Sequence, residues 1–280
     1  MTRFGEAMER QEDEGLARSA RENAVRQWSD HPCGAVAGDE HTLEYFLDVE
    51  RARYESQPWQ RPLFHFESYA GQRVLEIGVG LGTDLAQFGK AGARCHGVDI
   101  TDRHLEMTAR NFALRGLAVD LKRCDATRIE HPDGAFDAVY SFGVIHHIPD
   151  APAVVREIER VLRPGGRCLV ALYHKGSFFH LYMVFVRGLL LGRLFRLGYD
   201  GLMATVESGA DGVRTKPYVK VYSRGDVREL FSRFRIERIW VRHVDLGRFR
   251  SRLVGRVLAP LLRLAEPVLG WYVICEATRR

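Results

Sequence analysis

The sequence lacks the features that mark metal-binding, redox-active and disulfide-stabilised proteins. Its five cysteines are odd in number and scattered, and they form no Cys-x-x-Cys pair. The first twenty residues also lack the apolar core of a secretory signal peptide. We therefore expect no structural metal site and no disulfide framework, and we expect the chain to reside in a reducing cytoplasm.

A hydrophobic run long enough to cross a membrane is also missing. The most apolar stretch, residues 178–198, is interrupted by Arg187, Arg193 and Arg196. A membrane-spanning helix needs about 20 consecutive apolar residues, so this stretch is not expected to cross a bilayer. The sequence contains no internal repeat and no low-complexity linker, which argues against a repeat array or a disordered protein.

What the sequence does contain is an uneven charge distribution. Its formal net charge is +5, but residues 1–60 carry seven basic and thirteen acidic side chains, whereas residues 211–280 carry sixteen and seven. Basic character therefore belongs to the C-terminal quarter. An anionic partner would be attracted there, although a solvated arginine-rich surface explains the same pattern.

Short β-rich runs alternate with helical stretches from residue 72 onward, which predicts parallel strands joined by crossover helices. Thr101 is placed to cap the helix after the second strand, and Pro164 with the two following glycines is predicted to end the helix before the fifth strand. The predicted strands are residues 74–78, 94–100, 119–126, 136–143, 167–174, 234–244 and 270–278.

The remaining segments complete the predicted organisation. Residues 1–70, with a helical run from Glu40 to Glu55, form an N-terminal helical lid over the core of residues 71–174. Residues 175–232 form a helical cap. Residues 233–280 add the last strands, separated by a helical insertion. The fold class is therefore α/β, with helices on both faces of one sheet.

The stretch VLEIGVGLGTD, Val74–Asp84, places Gly78, Gly80 and Gly82 between the first strand and the first helix. Such a turn lets a ligand approach the amides of the helix N-terminus, and an acid about twenty residues on can accept both ribose hydroxyls. Asp99 is that acid. A nicotinamide dinucleotide or another adenosine compound would satisfy this pattern.

Three residues separate the two ligand classes. Thr83 stands where the dinucleotide fingerprint has its third glycine. Glu76 precedes the turn, where a carboxylate would repel a pyrophosphate but suit an ammonium group. Asp125 ends the third strand, where it would accept a hydrogen bond from an adenine amino group. The predicted ligand is an adenosine that bears an amino acid.

Five stretches in this order resemble the motif series of class I S-adenosylmethionine-dependent methyltransferases, in particular the ubiquinone/menaquinone-biosynthesis-like branch that acts on small molecules. They are VLEIGVGLGTD, GVDIT, CDATRI, FDAVYSFGVIHHIPD and LRPGGR. The resemblance covers residues 72–174. It implies a Rossmann-like, seven-stranded, mostly parallel sheet and S-adenosylmethionine as the cofactor.

The resemblance also implies a cofactor site. Thr83 and Asp84, just past the turn, are assigned a smaller part in binding the cofactor. The alternative for Asp99 is a role as a helix cap, and the alternative for Asp125 is a role as a turn former. The site residues are Glu76, Gly78 and Gly80 at the methionine end, Asp99 and Ile100 at the ribose, Asp125 and Ala126 at the adenine, and Ser141, Phe142 and Gly143 beside the sulfonium.

His146 and His147 are the candidate catalytic residues, because imidazole can take up a proton near neutral pH. The resemblance implies that one histidine faces the pocket and the other shapes the loop, and we assign His147 to the acceptor side. A loop-ordering role for either histidine is the alternative. Tyr173 and His174, at the end of the fifth strand, are second choices.

Two observations predict the acceptor, namely the motifs that the sequence lacks and the apolar residues of the cap. No Asn/Asp-Pro-Pro-Tyr stretch follows the fourth strand, and the Pro32-Cys33 pair lies upstream of the glycine turn and is interpreted as a loop, which argues against a nucleic-acid acceptor. Phe178, Phe179 and the apolar residues after them would bind an apolar or aromatic acceptor. The alternative is that they only pack the cap onto the sheet.

Residues 250–264 combine a basic face with an apolar face, interrupted by Pro260. This segment would contact an anionic membrane surface, or it would pack on the core as an ordinary surface helix.

The sequence thus predicts a methyltransferase that modifies oxygen or carbon of a small apolar or aromatic metabolite. A non-catalytic S-adenosylmethionine-binding module, an NAD-dependent oxidoreductase and a nucleic-acid methyltransferase are the alternatives. The last would bind RNA or DNA with a steep salt dependence through the basic C-terminal quarter.

Overall fold

A seven-stranded sheet lies at the centre of the computed structural model, which describes residues 3–207, 214–244 and 263–280, with side chains from residue 15 onward. The strand order is β3-β2-β1-β4-β5-β7-β6, and every strand is parallel to its neighbours except β7, which is antiparallel to β5 and β6. This confirms the predicted Rossmann-like, mostly parallel sheet. The strands are β1 (Arg73–Ile77), β2 (Arg94–Asp99), β3 (Val119–Arg123), β4 (Phe136–Phe142), β5 (Leu162–Tyr173), β6 (Phe234–Arg242) and β7 (Tyr272–Arg279).

Helices cover both faces of this sheet. The described α-helices are α1 (Arg3–Asp30), α2 (Leu43–Ser56), α3 (Gln60–Phe64), α4 (Thr83–Lys90), α5 (Asp102–Leu114), α6 (Ala151–Val161), α7 (Phe178–Tyr182), α8 (Arg193–Ala204), α9 (Arg224–Leu230) and α10 (Glu266–Leu269). Short 3-10 turns span Phe66–Tyr69 and Ile145–His147, and a π-helix spans Met183–Leu190.

Two hydrophobic layers hold the helices on the sheet. On one face, Val154 and Ile158 of α6 and Val227 of α9 are fully buried against the strands. On the other, Phe88 of α4 and Phe112 of α5 are buried in the same way. Because the central strands are covered on both faces, they consist of nearly continuous apolar runs rather than alternating ones.

Local capping agrees with the sequence at two helices. The Thr101 hydroxyl accepts a hydrogen bond from the His104 amide and begins α5, as predicted. The Asp150 carboxylate caps α6 in the same manner. Both caps fix where a helix starts relative to the strand before it.

The start of β5 differs from the prediction, which placed it at Arg167. The strand begins at Leu162, directly after α6, and it includes Pro164 and both glycines. A side chain at Gly166 would lie 2.8 Å from the Arg163 carbonyl oxygen. The glycines therefore permit a close backbone approach and an irregular register inside the strand, not a turn before it.

The N-terminal segment contains a helix that the sequence analysis did not predict. The run from Glu40 to Glu55 corresponds to α2, but α1 precedes it and is 28 residues long. Helix α1 has a largely polar sequence without a clear apolar stripe, so periodicity gave no signal for it. The predicted domain limits at residues 70, 174 and 232 remain predictions.

The insertion after β5 is helical over most of its described part, and residues 216–222 are not helical. It packs on the end of the sheet through a separate small core that contains Met183, Leu202, Met203 and Trp271. Within the described residues, no helix has both the length and the hydropathy needed to cross a bilayer. The amphipathic stretch predicted at residues 250–264 lies outside the described residues except for its last two positions.

Candidate functional site

The glycine turn lies at the carboxyl end of β1 and leads into α4. Gly78, Gly80 and Gly82 all have positive φ angles, between +54° and +77°. A Cβ atom at Gly78 would lie 2.3 Å from Val144, and one at Gly82 would lie 2.8 Å from Thr108. At Gly80 a Cβ atom would meet nothing within 4 Å. The outer two glycines are therefore required by packing, while Gly80 adjoins open space that a ligand can enter.

Asp99 ends β2 beside this turn and is buried. Its Oδ1 accepts hydrogen bonds from the amide and hydroxyl of Thr101, and His104 Nδ1 donates to its Oδ2 over 3.1 Å. The Gly80 amide lies 3.4 Å from the same Oδ2. Burial would raise the pKa of Asp99, but these hydrogen bonds outweigh it and lower the pKa. The carboxylate both orders the local turn and remains ionised at the edge of the glycine turn.

Glu76 lies inside the sheet next to the same turn. It is buried, and its Oε2 has no hydrogen-bond partner among the described residues. Burial, reinforced by the nearby Asp84 carboxylate, raises the pKa of Glu76 well above its ordinary value. A buried carboxyl oxygen without a donor is costly, so this position is suited to a ligand that brings an N–H group.

A buried ion pair lies close to Glu76. Arg53 of α2 contacts both carboxylate oxygens of Asp84, through an Nε–Oδ1 hydrogen bond of 2.7 Å and a second bond from Nη2. The hydroxyls of Tyr54 and Tyr140 each donate to Asp84 over 2.8 Å. Burial would lower the pKa of Arg53, but the paired carboxylate raises it instead. Sequence analysis missed Arg53, because 31 residues separate it from its partner.

We expect Asp84→Ala to lower the free energy of unfolding by about 3–5 kcal/mol, because it leaves the Arg53 guanidinium buried without a counter-charge. Urea denaturation measures the change. The control is Asp48→Ala, which removes the exposed partner of Arg51 on α2 and should cost less than about 1 kcal/mol. Similar losses in both variants would contradict the assignment of Asp84 as the buried partner of Arg53.

The predicted adenine residues lie at the end of β3. Asp125 Oδ1 accepts hydrogen bonds from the amide and hydroxyl of Thr127, so the residue does form a turn. Its Oδ2 lies 3.7 Å from Nε of Arg21, which belongs to α1. Ala126 is buried beside it. Ile100, after β2, is half-buried, and its carbonyl accepts a hydrogen bond from Arg123.

The residues predicted beside the sulfonium end β4. The Ser141 hydroxyl donates to the Ile77 carbonyl over 3.1 Å and is fully engaged within the sheet. The Phe142 ring lies among the rings of Trp59, Phe64 and Tyr272, and the Arg53 guanidinium covers it at 4.7 Å. An aromatic surface therefore adjoins the buried ion pair.

The two histidines that follow β4 have different surroundings. His146 is fully buried, and neither of its ring nitrogens has a hydrogen-bond partner among the described residues. Its ring stacks on Tyr173 with centroids 3.6 Å apart. Burial lowers the pKa of His146 well below its ordinary value. The ring is therefore neutral near pH 7.

His147 is tied to three separate segments. Its Nδ1 donates to the Tyr218 carbonyl over 2.8 Å, its ring packs edge-on against Trp28 of α1, and its Nε2 lies 3.8 Å from Oε1 of Glu207. Because a carbonyl only accepts hydrogen bonds, Nδ1 carries the proton and Nε2 of the neutral ring has a free lone pair. That lone pair faces the Glu207 carboxylate.

The end of β5 contributes Tyr173 to a cluster that also contains His146, His147 and Glu207. The Tyr173 hydroxyl donates to Glu207 over 2.8 Å, and burial, with the Glu207 charge, raises the pKa of Tyr173. His174 instead pairs its Nδ1 with the Gly270 carbonyl. Glu207 follows α8 in the insertion, so the sequence offered no signal for its arrival at β5.

Cys33 also needs a revised interpretation. It lies in a loop, as predicted, but that loop crosses the site. The side chain is exposed, yet it is close enough to Glu207, Asp84 and Arg53 for their charges to act on it. Desolvation raises the pKa of the Cys33 thiol, and the negative charge of the nearby Glu207 raises it further.

Comparisons with known proteins agree with this geometry. Residues 75–170 match the family described as a methyltransferase domain. The chain is 35% identical over 105 residues to Methyltransferase GfsG of Streptomyces halstedii, covering 36% of this chain and 38% of that protein. It is 29% identical over 132 residues to the ubiquinone biosynthesis O-methyltransferase of Ralstonia nicotianae, covering 47% of this chain and 56% of that protein. The matches thus span less than two thirds of these relatives.

Solved structures extend the likeness to most of the fold. An S-adenosylmethionine-dependent methyltransferase from Mesorhizobium loti superposes with a TM-score of 0.53 at 17% identity, covering 79% of this chain and 97% of that one. This likeness concerns the fold alone. Residues 75–170 therefore form a methyltransferase domain, and the chain shares the fold of this solved structure.

Proposed function

We propose that the protein is a cytoplasmic enzyme that transfers a methyl group from S-adenosylmethionine to oxygen or carbon of a small, apolar or aromatic metabolite. The observation that carries this proposal is the buried Glu76 Oε2 beside the glycine turn, which has no hydrogen-bond partner among the described residues, with Asp99 nearby. An ammonium group would lower the pKa of the Glu76 carboxyl and pair with it, whereas a pyrophosphate would meet no counter-charge at this position.

The residues present fit this cofactor. The ionised Asp99 would accept the ribose hydroxyls, Glu76 would accept an N–H of the ammonium group, and the open space at Gly80 would admit the ligand against the backbone. Asp125, Ala126 and Ile100 are proposed at the adenine and ribose. When bound, S-adenosylmethionine supplies an electrophilic methyl group on a sulfonium.

The protein's own contribution is to orient the acceptor and to exclude water. Phe142 and Tyr272, with rings 4.7 Å apart, are proposed to hold an aromatic or apolar acceptor next to the end of β4. The ubiquinone biosynthesis relative is named as an O-methyltransferase, which supports an oxygen acceptor of this kind.

His147 is proposed as the general base for a hydroxyl acceptor. Its Nδ1–H is committed to the Tyr218 carbonyl, so Nε2 is the atom that would take the proton. The Glu207 carboxylate, 3.8 Å away, would stabilise the imidazolium that results. His146 is proposed to assist indirectly, since its neutral ring fixes Tyr173 and hence Glu207.

Calorimetric titration with S-adenosylmethionine, S-adenosylhomocysteine and NAD tests the cofactor assignment. We expect both adenosyl amino acids to bind and NAD not to bind. Because burial holds the pKa of the Glu76 carboxyl high, a neighbouring ammonium group should lower that pKa and release up to about one proton. The heats measured in buffers of different ionisation enthalpy should therefore differ, and Glu76→Gln should remove the difference.

The alternatives make different predictions. NAD binding alone would identify an oxidoreductase and contradict the proposal. A non-catalytic binding module would bind the cofactor, but it would transfer no labelled methyl group to hydroxylated aromatics, aromatic amines or carbon acceptors. Product formation with any hydroxylated aromatic compound would support the enzyme proposal, and the modified atom would be read from the mass spectrum of the product.

A further inference from the structure

The insertion after β5 contains a helical hairpin. The π-helix Met183–Leu190 and helix α8 pack closely, because Gly188 leaves only 3.0 Å between an added Cβ atom and the Leu202 side chain. Gly192, with φ of +67°, forms the turn between them. Buried Met183 and Leu202 attach one side of the hairpin to the core.

The opposite side of this hairpin exposes large apolar side chains. At its tip, Leu190, Leu191 and Phe195 have exposed fractions of 78%, 60% and 81%. Isolated exposed leucines are ordinary on protein surfaces, but a contiguous group of this kind marks an interaction surface. Further exposed apolar side chains on the same hairpin and on α7 are Leu181, Tyr182, Phe185, Leu189 and Tyr199.

The charges around this apolar surface are mostly basic. Between residues 175 and 200 the sequence contains Lys175, Arg187, Arg193 and Arg196, against the single carboxylate of Asp200. Arg193 and Arg196 lie within two residues of the exposed Phe195. A surface that combines apolar tips with mostly basic groups is complementary to anionic lipid headgroups above acyl chains.

We infer that this hairpin docks the protein on the surface of an anionic phospholipid bilayer. Leu190, Leu191 and Phe195 would enter the boundary between headgroups and acyl chains, and the arginines would stay at the level of the phosphates. A two-fold contact between copies of this chain would instead bring the same arginines together with only Asp200 of this stretch as a counter-charge, which is unfavourable. This surface differs from the amphipathic segment predicted at residues 250–264.

The hairpin is connected to the proposed catalytic cluster. Glu207, which follows α8, accepts the hydrogen bond of Tyr173 and faces His147. Glu207 follows the end of α8 by three residues, so the docking hairpin and this cluster are joined directly by the chain. The inference does not depend on methyl transfer, because lipid binding is measured without cofactor or acceptor.

Vesicle flotation tests the inference with the full chain. We expect binding to phosphatidylcholine vesicles that contain phosphatidylglycerol and much weaker binding to pure phosphatidylcholine. The triple variant Leu190→Ser, Leu191→Ser, Phe195→Ser should bind about a hundredfold more weakly. Arg193→Gln and Arg196→Gln should each cost about fivefold on the anionic vesicles only.

Matched variants act as controls. Leu16→Ser combined with Leu47→Ser and Leu114→Ser alters equally apolar, exposed positions elsewhere and should leave binding unchanged. Thermal unfolding of the triple variant should match the parent, since the replaced side chains are exposed.

Several results would overturn the inference. They are an absence of binding to anionic vesicles, binding that survives the triple replacement, and binding lost instead in Leu264→Ser at the end of the segment 250–264. Sedimentation velocity would identify a second copy as the occupant if the parent self-associates, the triple variant does not, and neither binds vesicles.

Discussion

Asp99→Ala is expected to weaken S-adenosylmethionine binding by a factor of about 10² to 10⁴. An ionised carboxylate at this position would accept hydrogen bonds from both ribose hydroxyls, and each charge-assisted bond contributes about 1.5–3 kcal/mol. The surroundings of Asp99 keep it ionised, since hydrogen bonds from His104 and Thr101 outweigh the effect of burial on its pKa. Calorimetric titration of the variant measures the loss.

The control for Asp99 lies on the neighbouring strand. Asp120 of β3 has a largely exposed side chain and contacts His96 over 3.2 Å, away from the glycine turn. Asp120→Ala should bind the cofactor as the parent does. If Asp99→Ala binds S-adenosylmethionine normally while remaining folded by circular dichroism, Asp99 serves only to order the turn before α5 and the proposed ribose contact is wrong.

His147→Asn is expected to lower kcat by a factor of about 10² to 10⁴ with a hydroxyl acceptor, and to leave the affinity for S-adenosylmethionine unchanged. Asparagine retains a donor for the Tyr218 carbonyl, so the loop can keep its hydrogen bond while the proton acceptor at Nε2 is lost. Initial rates of labelled methyl transfer, together with calorimetric titration of the cofactor, separate catalysis from binding.

His180→Asn is the matched control, because His180 also pairs its Nδ1 with a backbone carbonyl, that of Lys175, but lies outside the cluster. Its kcat should stay within a few-fold of the parent value. A His147→Asn variant with full activity would show that no proton is taken up at this histidine and would favour an acceptor that needs no base. Glu207→Gln should give a smaller loss than His147→Asn, because Glu207 acts through the imidazolium.

The sequence by itself determined the sheet and the glycine turn. Short apolar runs separated by helical stretches predicted the strands and the crossover connections between them, whereas the order of the strands in the sheet came from the structure. The turn was predictable because φ values near +70° at Gly78 and Gly82 require glycine whatever surrounds them. The cap at Thr101 was predictable for the same reason, since it depends on a donor only three residues away. These are local rules, so the sequence carries them directly.

Only the tertiary structure decided which distant side chains meet. Arg53 reaches Asp84 across 31 residues, and Trp28 and Glu207 reach His147 from opposite ends of the chain. Helix α1 was missed because it lacks an apolar stripe, and its position over Asp125 was missed with it. Sequence spacing encodes the periods of helices and strands, but it does not encode where a lid or an insertion folds back onto the sheet. That placement depends on packing and charge pairing between segments, and these contacts exist only in the folded chain.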